Sequence, residues 1–372
     1  MGPLTGIRVV EMAGLGAGPL CGMMLADQGA RVISIERASG SGPESSLHVH
    51  EVDPLVRGKL RLPLDLKRNE DVRVVLEIIA HSQVLLESFR PGVMERLGLG
   101  PEECFDRNPA LVYARLSGWG QSGPWARRAG HDPNYIAATG ALYHSGQAPH
   151  PPVAPPTLLG DGAAAVMLSG AIASALIPAL QRGVGQVIDA AIAECASYLS
   201  TYAQSFYQAG HINDQRASGW LDGAAPWNSV YATRDHLFMA VAAVEPQFYR
   251  ELLVGLGLLE HAAFADRKQW RTEQWPSQRR HIAERFAERN RDDWEAVFAP
   301  LDACVSSVMT YGEAASHPQF SARGAHFECQ GQVFPQPAPR FSATPCVPGS
   351  EPTEQATSDY LAELGIRLGD EA

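Results

Sequence analysis

Apolar and polar positions near the start of the chain switch repeatedly between strand-like and helix-like spacing. Ile7-Arg8-Val9-Val10-Glu11-Met12 is a β-rich run. Gly14-Leu15-Gly16-Ala17-Gly18-Pro19 is a glycine-rich turn, residues 20–28 have helical character, and Gly29 is placed to cap them. Arg31-Val32-Ile33-Ser34-Ile35 is a second strand, so the opening is a βαβ unit and predicts a parallel sheet with helices on its faces. The alternation continues with a helix at 71–80, strands at Val84-Leu85-Leu86 and Leu111-Val112-Tyr113-Ala114-Arg115-Leu116, a helix at 163–180, a strand at Gln186-Val187-Ile188 and a helix at 190–207.

The pattern then changes. Residues 212–226 are rich in Gly, Asn, Asp and Ser and read as a linker. Val230-Tyr231-Ala232-Thr233 and Leu237-Phe238-Met239-Ala240-Val241 flank a short turn and predict a β-hairpin, followed by helical segments at 247–258 and 278–298. This stretch reads as a smaller second domain. Residues 335–352 are Pro-rich and extended, and 358–364 form a short amphipathic helix.

The chain has 372 residues, 45% hydrophobic and 19% charged, which is a globular composition. A net charge of −11 argues against a general nucleic-acid-binding face. The six cysteines (Cys21, Cys104, Cys195, Cys304, Cys329, Cys346) form no CxxC pair and read as isolated thiols in a reducing compartment. The first ten residues lack the basic and apolar runs of a signal peptide. Residues 162–180 are free of charge but rich in Ala, Gly and Ser, and Pro178 falls among them. They are expected to form a buried helix rather than a membrane span. The expected location is cytoplasmic.

Candidate chemistry sits at a few places. The glycine-rich turn and the acidic Glu36 suggest a dinucleotide site, but the spacing is Gly-x-Gly-x-Gly-Pro rather than GxGxxG. Arg37, Arg57, Lys59, Arg61, Arg90 and Arg96 lie near strand ends and suit a ligand with several phosphates; surface ion pairs are the alternative. His131-Asp132 lies between Gly130 and Pro133-Asn134-Tyr135; Asp161 immediately precedes the long apolar helix; Glu245 follows an apolar strand. By spacing alone a structural His131 and helix caps at Asp161 and Glu245 fit as well as a site does, so the three do not define one. His48-Val49-His50 lacks companions for a metal site, and Gly120-Gln121-Ser122-Gly123-Pro124 misses the GxSxG elbow.

Several stretches together resemble the family III CoA-transferases (CaiB/BaiF) and, within them, the α-methylacyl-CoA racemase branch. They are Gly6-Ile7-Arg8-Val9-Val10-Glu11, Ala30-Arg31-Val32-Ile33-Ser34-Ile35-Glu36-Arg37, Leu64-Asp65-Leu66-Lys67, Phe89-Arg90-Pro91-Gly92-Val93 and Leu116-Ser117-Gly118-Trp119-Gly120-Gln121. Gly123-Pro124, Gly130-His131-Asp132-Pro133-Asn134-Tyr135, Val244-Glu245-Pro246-Gln247-Phe248-Tyr249, Asp302-Ala303-Cys304 and Pro339-Arg340-Phe341-Ser342 complete the series in family order. Three places depart from the pattern: Trp227-Asn228, Pro63 before the Leu64 match, and His236 in the hairpin turn, where glycine is usual.

The resemblance implies an α/β fold. Its Rossmann-like large domain has a parallel sheet built from both chain ends (1–205 and 323–372). A 206–225 linker leads to a smaller α+β domain inserted at 226–322, and two chains form an interlocked homodimer. It implies coenzyme A, entering as part of an acyl-CoA substrate, held by Arg37, Leu64, Lys67, Ser88, Phe89 and Arg90. Arg96, Arg115, Gly130, Asp132 and Tyr135 are implied in the same role. It implies no metal or redox cofactor, no nucleic-acid partner and no membrane span. His131 and Asp161 would serve opposite faces of the carbon next to the thioester, with Glu245 hydrogen-bonded to Asp161, and backbone N–H groups after His131 would hold an enolate oxygen. The reaction implied is racemisation of 2-methylacyl-CoA thioesters. The alternatives are CoA transfer through an Asp161 anhydride, a nicotinamide oxidoreductase and a non-catalytic acyl-CoA binder.

Overall fold

The structure is a computed structural model that describes residues 2–38, 53–265, 268–350 and 353–368. The chain divides into two units. The first comprises Met1–Ala141, Ala154–Leu199 and Arg323–Ala372; the second comprises Leu142–Val153 and Ser200–Ala322.

The first unit is built on six parallel strands: β1 (Arg8–Met12), β2 (Arg31–Arg37), β3 (Lys59–Leu64), β4 (Val84–Glu87), β5 (Val112–Ser117) and β6 (Gln186–Ala191). Their order is β3-β2-β1-β4-β5-β6, that of a doubly wound sheet. Successive side chains on a strand point to opposite faces, so each strand feeds two cores. Val9, Val32, Val84, Val112 and Ala114 pack against the helices Ala17–Asp27 and Ala163–Arg182. Val10, Ile33, Leu85 and Tyr113 pack on the other face with Val75, Ile78 and Ile79 of the helix Asn69–Ala80. Burial of both faces accounts for the nearly continuous apolar runs in the sequence.

The sheet expected from both chain ends needs correction: among the described residues all six of its strands lie between Arg8 and Ala191, and the chain's end returns to it with a helix, because its Pro-rich approach offers no strand to the β3 edge. Tyr360 and Leu361 of the helix Glu354–Glu363 join the second core, and Thr357 Oγ1 accepts from the Arg61 N–H of β3 at 3.3 Å. A short hairpin, β10 (His326–Cys329) with β11 (Gln332–Pro335), precedes that helix.

The second unit holds a three-stranded antiparallel sheet: β7 (Asn228–Ala232), β8 (Phe238–Ala242) and β9 (Val305–Ser307). Its core joins Trp227, Tyr231 and Met239 to the helices Pro246–Leu256, Trp275–Phe286 and Arg291–Phe298. His236 in the β7–β8 turn has φ of +61°, the left-handed conformation that explains the usual glycine there.

Several sequence expectations need correction. β3 is a strand the pattern does not announce: Lys59-Leu60-Arg61-Leu62-Pro63-Leu64 carries a proline, which an edge strand tolerates. The helix expected at 190–207 begins only after β6 and breaks into Ile192–Leu199 and Thr201–Gln208. The helix expected at 278–298 divides at Asn290, whose backbone N–H donates to Asp293 Oδ2 at 3.2 Å where the second piece begins. The long apolar helix buries only one stripe, Ala164, Ala165, Leu168, Ile172, Ala175, Leu176 and Ala179. Val166, Ile177 and Leu180 are 56%, 57% and 60% exposed. Leu158–Arg182 is long and apolar enough to cross a membrane by length and composition alone, with 39% of its apolar window buried.

Lys59 is 1% exposed. Its Nζ donates to Glu11 Oε1 and Oε2 at 2.9 and 2.7 Å and to the Pro19 carbonyl at 2.8 Å, so one ammonium ties β3, β1 and the first helix. A Cβ at Gly22 would fall on Glu11 Oε2. Burial raises the Glu11 carboxyl above its ordinary value against the opposing pull of Lys59. Lys59→Met is expected to destabilise the protein by about 3–5 kcal/mol at pH 7.5, because it leaves a buried carboxylate unpaired. Without Lys59 the folded-state value of Glu11 rises further. Stability then falls as pH climbs above the unfolded-state value, so the deficit shrinks on acidification. Urea unfolding at pH 7.5 and 5.5 measures both.

Candidate active site

In a sheet of this order the connections leave β1 and β4 in opposite directions, opening a crevice beyond their carboxyl ends. The glycine-rich turn follows β1 and Ser88 follows β4. A Cβ on Gly18 would lie 2.7 Å from Ser88 Oγ, and one on Gly14 would press on the same atom. Glycine here lets the turn lie directly against Ser88. Gly16 has φ of +71°, and a Cβ on it would lie 2.9 Å from Asp161 Oδ2. The Asp161 carboxyl therefore sits over the glycine-rich turn, at the crevice.

Asp161 belongs to a π-helical turn, Leu158–Gly162, that leads into the helix Ala163–Arg182. Thr157 before it is left-handed, with φ of +49°. Asp132 holds this turn in place. Only 3% exposed, it accepts the Gly160 and Asp161 N–H groups on Oδ2, each at 2.8 Å. A Cβ on Gly160 would lie 2.6 Å from that oxygen, so the grip needs glycine.

The Asp161 carboxyl does not cap its own helix and has no hydrogen-bond partner among the described residues. Burial, and then the negative charge of Asp132, raise its proton affinity; His131 opposes them. A carboxyl held so readily protonated is suited to exchanging protons.

His131 is the N-cap of the helix Asp132–Ala138, and its backbone N–H donates to Asn134 Oδ1 at 3.0 Å. The Asn134 and Tyr135 N–H groups both donate to the His131 carbonyl, at 2.8 and 3.3 Å. Pro133 has no N–H, so Asp132 carries the one amide of this turn without a partner among the described residues. Tyr135 donates its hydroxyl to the Gly130 carbonyl and meets the Trp119 ring edge-on at 5.0 Å between centroids. Burial and the Asp161 charge raise its phenol.

The other expected positions fall into two groups. Arg37 ends β2 opposite Leu64 at the end of β3; Lys67 follows in the next turn, and Phe89 and Arg90 follow β4. Arg96 ends the short helix Val93–Arg96. Arg37, Lys67, Arg90 and Arg96 are exposed and make no ion pair among the described residues. Leu64 is buried in the sheet core. The remaining cations are committed elsewhere. Arg115 is buried, with Nε 2.8 Å from Glu87 Oε1 and Nη1 2.7 Å from Glu95 Oε1. Arg57 pairs with Asp27 at 2.6 Å, and Arg61 with Glu36 at 2.7 Å, so the acid considered for a ribose already has a partner.

Glu245 lies in the second unit, exposed at the N-cap of the helix Pro246–Leu256. Its carboxylate neither caps that helix nor has a partner among the described residues. His48 and His50 lie outside the described residues, among which no group of three or more His, Cys, Asp or Glu could hold a metal ion. Two features escaped the sequence reading: the glycine-rich turn as the floor beneath Asp161, and Asp132 as the clamp on its backbone. The run of glycines was visible, but its function depends on β4 lying beside β1.

Residues 4–356 match CoA-transferase family III, and the chain belongs to that family. It is 42% identical to the mouse (Mus musculus) protein named alpha-methylacyl-CoA racemase, over 98% of this chain and 93% of that one. To the human (Homo sapiens) protein of the same name it is 41% identical, over 98% and 94%. The crystal structure of a CAIB/BAIF family protein from Brucella suis matches with a TM-score of 0.79 at 26% identity, covering 98% of this chain and 99% of that one.

A carboxyl whose folded-state value lies above the ordinary 3.8 binds more protons folded than unfolded. Between those two values stability falls as pH rises. Asp161→Asn removes this penalty and is expected to raise stability at pH 7.5, with a gain that fades as pH approaches 3.8. Urea midpoints of both proteins across pH 4–8 measure it.

Proposed function

We propose that this protein interconverts the two configurations of 2-methylacyl-CoA thioesters by removing and returning the α-proton. The observation that carries this reading is the Asp161 carboxyl, unpartnered and raised in proton affinity, near His131 at the carboxyl ends of β1 and β4. The similarity to two proteins named alpha-methylacyl-CoA racemase over nearly the whole chain supports it.

An α-proton of a thioester is a weak acid, so its removal calls for a placed base and a donor for the enolate oxygen. In the proposed reaction His131 and Asp161 serve opposite faces of the carbon. One accepts the proton as the electron pair shifts to the thioester oxygen; the other donates a proton as the pair returns to carbon. The Asp132 N–H, at a helix start, is the donor for the enolate oxygen. Glu245 is the acid that tunes the proton affinity of Asp161. Arg37, Lys67, Arg90 and Arg96 are the cations for the CoA phosphates. Coenzyme A enters as part of the substrate, and the proton transfers call for no metal or redox group.

We further propose that the working form is a cytoplasmic homodimer. The exposed Val166, Ile177 and Leu180 support a second copy, since an apolar face of this kind marks an interaction surface. All six cysteines are unpaired, which supports a reducing compartment.

The family's description favours a second reading, CoA transfer through an Asp161 anhydride. One experiment separates the two: incubation of a single-enantiomer 2-methylacyl-CoA in D2O, followed by NMR. The expected result is α-deuteration with loss of optical purity, slowed at least about 100-fold by His131→Ala and by Asp161→Asn. Full exchange by His131→Ala would break the two-base scheme. CoA appearing on an added carboxylic acid without exchange would make Asp161 a nucleophile.

A further inference from the structure

We infer that Gln269 is a positioning residue that sets the direction of the Glu245 carboxylate by gripping the backbone immediately before it. The inference rests on the proposed role of Glu245 as an acid of the reaction.

Glu245 makes no side-chain bond among the described residues, so its aim depends on the backbone that delivers it. That backbone is three residues long, from the end of β8 at Ala242 to the start of the helix at Pro246. Three of its bonds are main-chain: the Ala243 N–H donates to the Trp227 carbonyl at 2.8 Å, the Val244 N–H to the Ala242 carbonyl at 3.0 Å, and the Glu245 carbonyl accepts from the Tyr249 N–H at 3.0 Å. The side-chain grip comes from a distant loop. Gln269 Nε2 donates to the Val244 carbonyl at 2.5 Å, with a longer 3.4 Å contact to the Ala243 carbonyl.

Gln269 is itself held. It is 3% exposed, and its backbone carbonyl accepts two indole N–H groups, Trp227 Nε1 at 2.9 Å and Trp275 Nε1 at 2.7 Å. One indole precedes β7 and the other opens the helix Trp275–Phe286. Backbone and side chain of one residue are thus bonded to different partners, the two indoles and the turn that carries Glu245. Loosening such a grip moves the acid without touching it, and misplacement by about 1 Å costs on the order of 100-fold in rate.

The test is a double-mutant cycle in the α-proton exchange assay. Gln269→Leu keeps the bulk and removes the donor. It is expected to lower kcat by about 10–100-fold, with KM within about twofold of wild type. Gln269→Leu combined with Glu245→Gln is expected to be no slower than Glu245→Gln alone, because Gln269 acts through that carboxylate. Gln269→Glu supplies a second arm if the leucine variant fails to fold. Its protonated carboxyl donates as the amide did, so exchange approaches wild type at low pH and falls as the group ionises. Wild-type kcat in Gln269→Leu, losses that multiply in the double variant, or a wild-type pH profile in Gln269→Glu would each overturn the inference. Wild-type exchange by Glu245→Gln alone would instead remove the acid role of Glu245, and the inference with it.

Discussion

The candidate centre depends on β1 pairing in parallel with β2 on one side and β4 on the other. Once β1 is central, the segments leaving β1 and β4 must part, and their first residues face each other across a crevice. The glycine-rich turn fills one wall and Ser88 the other, in contact because Gly14 and Gly18 lack side chains. Asp161 reaches the same place from a π-helical turn far along the chain. The strand order therefore selects which residues meet, and the glycines let them approach.

Charge is sorted by burial. Lys59, Arg57 and Arg115 each close on carboxyls of the same unit: Arg57 on Asp27 of the first helix, Lys59 and Arg115 on Glu11 and Glu87 of other strands of the sheet. Such cations hold the frame and have little left to offer a ligand. Arg37, Lys67, Arg90 and Arg96 stand exposed at strand ends or in the segments that follow them. An anion arriving at that edge meets charges that the fold has not consumed.

Both units use a buried amide or carboxyl side chain to hold the backbone next to an acid. Asp132 accepts two N–H groups at Gly160 and Asp161; Gln269 donates to the carbonyl at Val244, just before Glu245. In each case the acid itself is left without a side-chain bond, so its carboxyl remains available while its backbone is fixed. Fixing the backbone leaves the carboxyl free, whereas bonding the carboxyl would occupy it. The charge of Asp132 adds a second effect, since it also raises the proton affinity of Asp161.

Sequence pattern alone determined the βαβ opening, most strands of the parallel sheet, the β7–β8 hairpin and the long apolar helix, because each announces itself through local periodicity. The ordered motifs from Gly6 to Ser342 also carried the family. β3 stayed hidden because its charged residues alternate with leucines and a proline, a pattern that makes sense only at a sheet edge. Which arginines were free was equally invisible, since Arg115 looked like Arg90 until Glu87 and Glu95 were seen around it. The same holds for Asp132 gripping Asp161 across 29 residues and Gln269 gripping Val244 across 25. Local periodicity records which face of an element is apolar. Only the packed chain decides which polar groups find each other, because those bonds form between segments that the sequence keeps apart.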